Sequence, residues 1–129
     1  MSDGSHDAGG LADVLSLDPA ALQRLERFGG GKLLGEMVRL FLAAAPERIG
    51  AARTGLEAGD VGAVELALHS LKSSSAQLGA MRMQRLSERG EHLTRSGTLE
   101  GVSGLVGDLE REFVLVQQRL VTLRDGGTE

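Results

Sequence analysis

The sequence predicts an all-α fold: an antiparallel up-down four-helix bundle preceded by a shorter N-terminal helix. Three observations lead to it. Apolar residues recur at three- and four-residue steps through most of the 129-residue chain. Glycines and the pairs Asp18-Pro19 and Gly59-Asp60 interrupt those stripes at intervals of a helix length. No segment shows sustained apolar/polar alternation or a hairpin dipeptide between β-rich runs, and no internal repeat suggests a solenoid.

Each element follows in order. Residues 1–16 are small and polar with one apolar patch, Leu11 to Leu15, and are assigned to a flexible lead or a short cap. The bundle domain occupies 17–123. Asp18 offers a carboxylate to orphan backbone N–H groups and Pro19 loses no hydrogen bond at the first helical position, so a helix opens there. Its stripe is Leu22, Leu25 and Phe28, and Gly29-Gly30-Gly31 ends it. From about 32 to 58, Leu34, Val38, Phe41, Ala45, Ile49, Ala52 and Leu56 form a second stripe that keeps its phase through Pro46, where a kink is expected. Gly59-Asp60 supplies a stop and a new N-cap before Val61, Val64, Leu68, Leu71, Ser75 and Leu78. Beyond Gly79, the spacing of Met83, Leu86, Gly90 and Leu93 predicts a helix ending near Ser96-Gly97, with Gly90 allowing close backbone approach. The last helix, about 99 to 123, carries Val102, Leu105, Leu109, Phe113, Val116, Leu120 and Leu123, and 124–129 form a flexible tail. Short connections between such helices imply antiparallel neighbours.

Composition narrows the function. A hydrophobic content of 41% with 25% charged residues is ordinary globular usage, neither disordered nor membrane-spanning. MSDGSHDAGG has no basic start or apolar core of a secretory signal, so a cytoplasmic location is expected. A net charge of −4 with three Phe and no Tyr or Trp argues against phosphate-backbone binding and base stacking, so no nucleic-acid partner is expected. The absence of cysteine removes thiolate chemistry and thiolate metal sites. No phosphate-cradling glycine motif or Gly-x-Ser-x-Gly elbow is present, which argues against nucleotide-dependent kinase activity and hydrolysis.

One helix face does not suit a plain bundle. On the helix over 61–78 the positions turned from the stripe are Gly62, Glu65, Leu66, His69, Lys72, Ser73 and Ala76. A solvated face carries several long charged side chains. This one sets a histidine and a lysine one turn on among small residues, leaving the imidazole within reach of another protein. The alternative for His69 and Lys72 is that both are ordinary surface residues. The run Ser73-Ser74-Ser75 is costly in mid-helix relative to alanine, which suggests a purpose other than helix propensity.

The segment His69-Ser70-Leu71-Lys72-Ser73-Ser74-Ser75-Ala76-Gln77-Leu78-Gly79-Ala80 resembles the signature of histidine-containing phosphotransfer domains. In that family the histidine is followed by Leu-Lys and, near the helix end, by Leu-Gly-Ala. The resemblance extends over roughly 17–123. It implies a bundle that relays a phosphoryl group on His69 between receiver-domain aspartates, or from a kinase to a response regulator. It implies no ATP-dependent activity of its own. The partners implied are response regulator receiver domains and a hybrid sensor histidine kinase, in a monomer with no cofactor, since Mg²⁺ is carried by the receiver. Docking is assigned to Gly62, Glu65, Leu66, Ser73, Ala76, Gln77 and Gly79. Ser73 departs from the glycine usual after the lysine, a small addition that leaves docking feasible and bears on partner choice.

Histidine has a reference pKa of about 6.5, so a neutral ring can attack phosphorus without a separate base. Transfer then needs alignment and charge stabilisation. The resemblance makes Nε2 the attacking atom. Lys72 can offset phosphoryl charge, by about 1 kcal/mol at ~4 Å in water and up to about 4 where solvent is partly excluded. In several family members a glutamine 22 residues after the histidine bonds the other ring nitrogen. Here that position is Glu91, which would orient the ring by accepting from Nδ1–H or would be a solvated helix residue.

Rival readings remain. A non-catalytic bundle would dock receivers through the same face without modification of His69. A metal-binding bundle would use Glu65 and His69, four apart on one helix, with ligands from elsewhere. His6 and His92 are assigned no role.

Overall fold

The structure, a computed structural model, describes residues 14–124. It consists of α1 (Pro19–Ala58), α2 (Val61–Leu78), α3 (Met81–Arg95) and α4 (Val102–Arg124), with no strand among the described residues. Each helix packs on the next and α4 closes back on α1. The two-residue links 59–60 and 79–80 leave room only for chain reversal, so neighbours run antiparallel.

Caps set the boundaries. Asp18 accepts from Ala20 N–H at 3.0 Å and Asp60 from Ala63 N–H at 3.0 Å. Gly59 and Gly79 end α1 and α2 at φ 68° and 78°, a left-handed conformation natural to glycine. Between α3 and α4 the chain turns through Gly97 and Gly101, both at positive φ, with Glu100 N–H bonded to Thr98 Oγ1 at 2.9 Å. That turn occupies the residues from which the last helix was expected to start, and α4 begins at Val102.

The core is made by the stripes. Val38, Phe41, Ala45, Ile49 and Ala52 of α1 meet Val64, Leu68, Leu71 and Leu78 of α2, Met83 and Leu86 of α3, and Val102, Val106, Leu109, Phe113, Val116 and Leu120 of α4. The rings of Phe41 and Phe113 pack with centroids 6.2 Å apart. α1 is helical through Pro46, and its one non-helical residue is Gly30, at φ 78° and ψ −179°, a region essentially closed to other residues. The break expected at the triple glycine is therefore present as a kink at Gly30, which joins two helical stretches, and the second stretch continues through Pro46 as its unbroken stripe predicts.

Phe28 is a correction. It was placed on the stripe with Leu22 and Leu25, and it is 88% exposed. A spacing of three advances 300°, so each step drifts about 60° off the face. Leu22 is buried, Leu25 half-buried and Phe28 outside.

The end of the lead is hydrogen-bonded to the bundle. Arg82 N–H bonds Leu15 C=O at 3.2 Å, Arg82 Nη2 bonds Val14 C=O at 2.7 Å, and Asp18 N–H bonds Gly79 C=O at 2.8 Å. These tie residues 14–18 onto the α2–α3 junction. The remainder of the lead, with His6, and the tail from 125 lie outside the described residues. No helix among the described residues is long and apolar enough to cross a membrane.

Candidate functional site

His69 sits midway along α2 on the face turned from the core, with its side chain 53% exposed. Beneath it lies Glu91 of α3, whose side chain is only 2% exposed. Glu91 is therefore not a solvated helix residue. Its Oε2 is 2.7 Å from His69 Nδ1 and 2.6 Å from Arg95 Nη2, and its Oε1 is 2.7 Å from Lys72 Nζ. Arg95 Nε reaches back to Glu65 Oε2 of α2 at 3.3 Å.

The helical repeat explains this grouping. Glu65 and His69 are four apart on α2, Glu91 and Arg95 four apart on α3, and each pair presents one face to the other. Gly90 lets those faces approach, because a Cβ there would lie 2.6 Å from Leu68 Cδ1. The result is a closed run of contacts from Glu65 through Arg95 and Glu91 to His69.

Burial alone would push the Glu91 carboxyl up. Hydrogen bonds from Lys72 and His69 and the charges of Lys72 and Arg95 outweigh it, and the group is held below the ordinary glutamate value. An ionised carboxylate only accepts, so His69 Nδ1 is the donor. In the neutral ring the lone pair is then on Nε2, on a side chain that is more than half exposed. Lys72 is 27% exposed and bound to Glu91, not standing free beside the ring.

Around His69 the surface is small and partly apolar. Gly62, Leu66, Ser73, Ala76 and Gln77 are exposed, and Leu66 is among the most exposed large apolar side chains of the described residues. Glu65 belongs to the same face but is occupied by Arg95. Gly79 does not belong to it. It is buried at the end of α2, where a Cβ would lie 2.6 Å from Ala21 Cβ, so it serves helix termination and packing against α1. The three serines diverge: Ser73 faces outward, Ser74 Oγ bonds Leu71 C=O at 3.3 Å, and Ser75 is fully buried with no hydrogen-bond partner for its hydroxyl among the described residues.

Glu65 is paired with Arg95 and His69 with Glu91. Among the described residues no group of three or more His, Asp or Glu is placed to hold an ion. His92 is exposed. Arg95 was missed from sequence, although its place four residues after Glu91 is the spacing of a helical ion pair.

The Hpt domain family profile matches residues 36–125. Among solved structures, histidine-containing phosphotransfer protein B (HptB) from Pseudomonas aeruginosa PAO1 is similar with a TM-score of 0.82 and 26% identity, over 85% of this chain and 95% of that one. The HPT domain of the Hpt sensor hybrid histidine kinase from Shewanella is similar in fold, with a TM-score of 0.74 and 21% identity, over 86% of this chain and 95% of that one. No curated protein matches the chain by sequence.

Proposed function

The chain belongs to the Hpt domain family and is a phosphorelay phosphotransfer protein, and we propose that it carries the phosphoryl group on Nε2 of His69. The observation that carries the assignment is the 2.7 Å contact between His69 Nδ1 and buried Glu91. It fixes the ring from below and leaves the other nitrogen at an exposed surface of small residues.

The donor is a receiver domain carrying an aspartyl phosphate. The Nε2 lone pair forms the N–P bond as the bond between phosphorus and the aspartyl oxygen breaks, and the electron pair leaves on the receiver carboxylate. The Nδ1 proton stays against Glu91, which offsets the positive charge on the ring. Lys72 lies one turn from His69 and offsets charge on the phosphoryl oxygens. The receiver supplies Mg²⁺. The reverse step, onto a second receiver aspartate, uses the same groups.

Receivers of response regulators and of a hybrid sensor kinase dock on Gly62, Leu66, Ser73, Ala76 and Gln77. Ser73 and Ala76, one and two turns beyond His69, leave room for a partner to bring its aspartate to the ring. The chain acts as a cytoplasmic monomer with no ATP chemistry and no cofactor of its own. Incubation with a phosphorylated receiver tests this reading: acid-labile, base-stable label is expected on wild type and absent from His69→Gln. An unlabelled wild type, or a labelled His69→Gln, overturns it.

A further inference from the structure

Two cations share one buried carboxylate. Lys72 binds Oε1 of Glu91 and Arg95 binds Oε2, the same oxygen that receives His69 Nδ1. The two cations are held differently. Lys72 lies three residues from His69 on the same helix and has Glu91 as its carboxylate partner at 2.7 Å. Arg95 is anchored at two points, on Glu91 and on Glu65 of α2.

A phosphoryl group on Nε2 brings two negative charges to a surface where Lys72 is already engaged. To stabilise that charge, Lys72 must turn from Oε1 toward the phosphoryl oxygens. If it were the only side-chain cation on Glu91, turning would leave the buried carboxylate with the His69 ring as its sole partner, whereas a buried charge needs every oxygen well paired. It would also release the side chain that holds the ring. Arg95 prevents both, because its guanidinium stays on Oε2 and its second hydrogen bond, to Glu65, fixes its direction.

We infer that Arg95 is a positioning residue for phosphotransfer: by holding Glu91 in place against His69 Nδ1, it leaves Lys72 able to move to the phosphoryl group. The inference rests on His69 being the phosphoryl carrier. Glu65, within the face expected to meet partners, acts in this scheme as the anchor for Arg95.

The test compares wild type, Arg95→Ala, Arg95→Lys, Lys72→Ala and the Arg95→Ala/Lys72→Ala pair, with His69→Gln as control. Transfer from a phosphorylated receiver is timed, and ring ¹⁵N shifts of His69 report which nitrogen carries the proton. Arg95→Ala is expected to slow transfer about tenfold, as a displaced reacting group does, and to reduce the share of the Nδ1–H form. Arg95→Lys should recover part of both. Lys72→Ala should slow transfer less in the Arg95→Ala background than in wild type, since without Arg95 the lysine is already retained by Glu91. Wild-type transfer and ring shifts in Arg95→Ala, or losses that simply multiply in the double variant, overturn the inference while leaving the carrier assignment intact. Failure of the carrier assignment appears separately, as absence of label on wild type or its persistence on His69→Gln.

Discussion

Gly90 of α3 packs against Leu68 of α2 with no space for a side chain, and the next residue on each helix is a member of the ion-paired centre. A Cβ on Gly90 would stand 2.6 Å from Leu68 Cδ1, and Leu68 is fully buried. One residue further, His69 and Glu91 meet at 2.7 Å. The spacing of the two helices at Gly90 thus sets the reach between the histidine and its carboxylate.

Gly90→Val tests that dependence. Leu68 is fully buried, so the added side chain is expected to push α2 and α3 apart. Overpacking of this kind costs about 1–3 kcal/mol, offset by somewhat under 1 kcal/mol from replacing a helical glycine. A lower thermal midpoint is expected, together with loss of the Nδ1–H preference of the His69 ring in the protein that remains folded. An unchanged ring signal would mean that the helix spacing does not govern the contact.

The depressed Glu91 pKa predicts a pH dependence of stability. A glutamate titrates at about 4.3 in the unfolded chain, and Glu91 titrates lower in the folded one. The unfolded state therefore takes up the proton first as pH falls, and the stabilisation from Glu91 is fully present above about pH 4.3 and is lost as pH drops through the folded value. The comparison is best made between His69→Gln and His69→Gln/Glu91→Gln, which removes imidazole titration from the difference. Denaturant unfolding should show the carboxylate form more stable by about 2 kcal/mol at neutral pH, the scale of a hydrogen bond to a charged group. The gap should stay constant down to about pH 5 and narrow toward pH 3. A gap that widens in acid would contradict the ion-paired assignment.

The sequence carried the bundle more completely than the site. The stripes through Val38, Phe41, Ala45, Ile49 and Ala52 and through Val64, Leu68 and Leu71 appear as the core because three- and four-residue steps average to the helical repeat. Phe28 was misplaced because two successive threes do not. His69, Lys72 and Glu91 were legible through the resemblance, but the burial of Glu91 depends on the rotation of α3, which no local pattern states. Arg95 near a helix end reads as a solvated charge until that rotation is known. Gly79 was grouped with the docking residues because it belongs to the same run of sequence, whereas its left-handed conformation turns the chain inward.

Exposure separates the two phenylalanines of α1. Phe28→Ala removes a ring that already lies in water and should change the unfolding free energy by less than about 0.5 kcal/mol. Phe41 is 5% exposed and packs on Phe113. Phe41→Ala should cost about 3–5 kcal/mol through lost burial and the cavity left behind. Equal effects in denaturant titrations would place Phe28 inside the core after all.

Ser73, Ala76 and Gly79 provide the last contrast, because docking and folding assign them opposite sensitivities. Ser73 and Ala76 are exposed on α2 beyond His69. Ser73→Arg or Ala76→Arg should leave the thermal midpoint nearly unchanged, within about 0.5 kcal/mol, while a long charged side chain blocks approach of a receiver and reduces transfer severely. Gly79 has φ 78° and its added Cβ would meet Ala21 Cβ at 2.6 Å. Gly79→Ala combines a left-handed backbone penalty of about 1–2 kcal/mol with that clash, so destabilisation of about 2 kcal/mol or more is expected, with near-normal transfer by the folded fraction. Receiver binding measured by calorimetry, alongside thermal unfolding, separates the two classes. Normal receiver binding by Ser73→Arg would move the docking surface away from this face of α2.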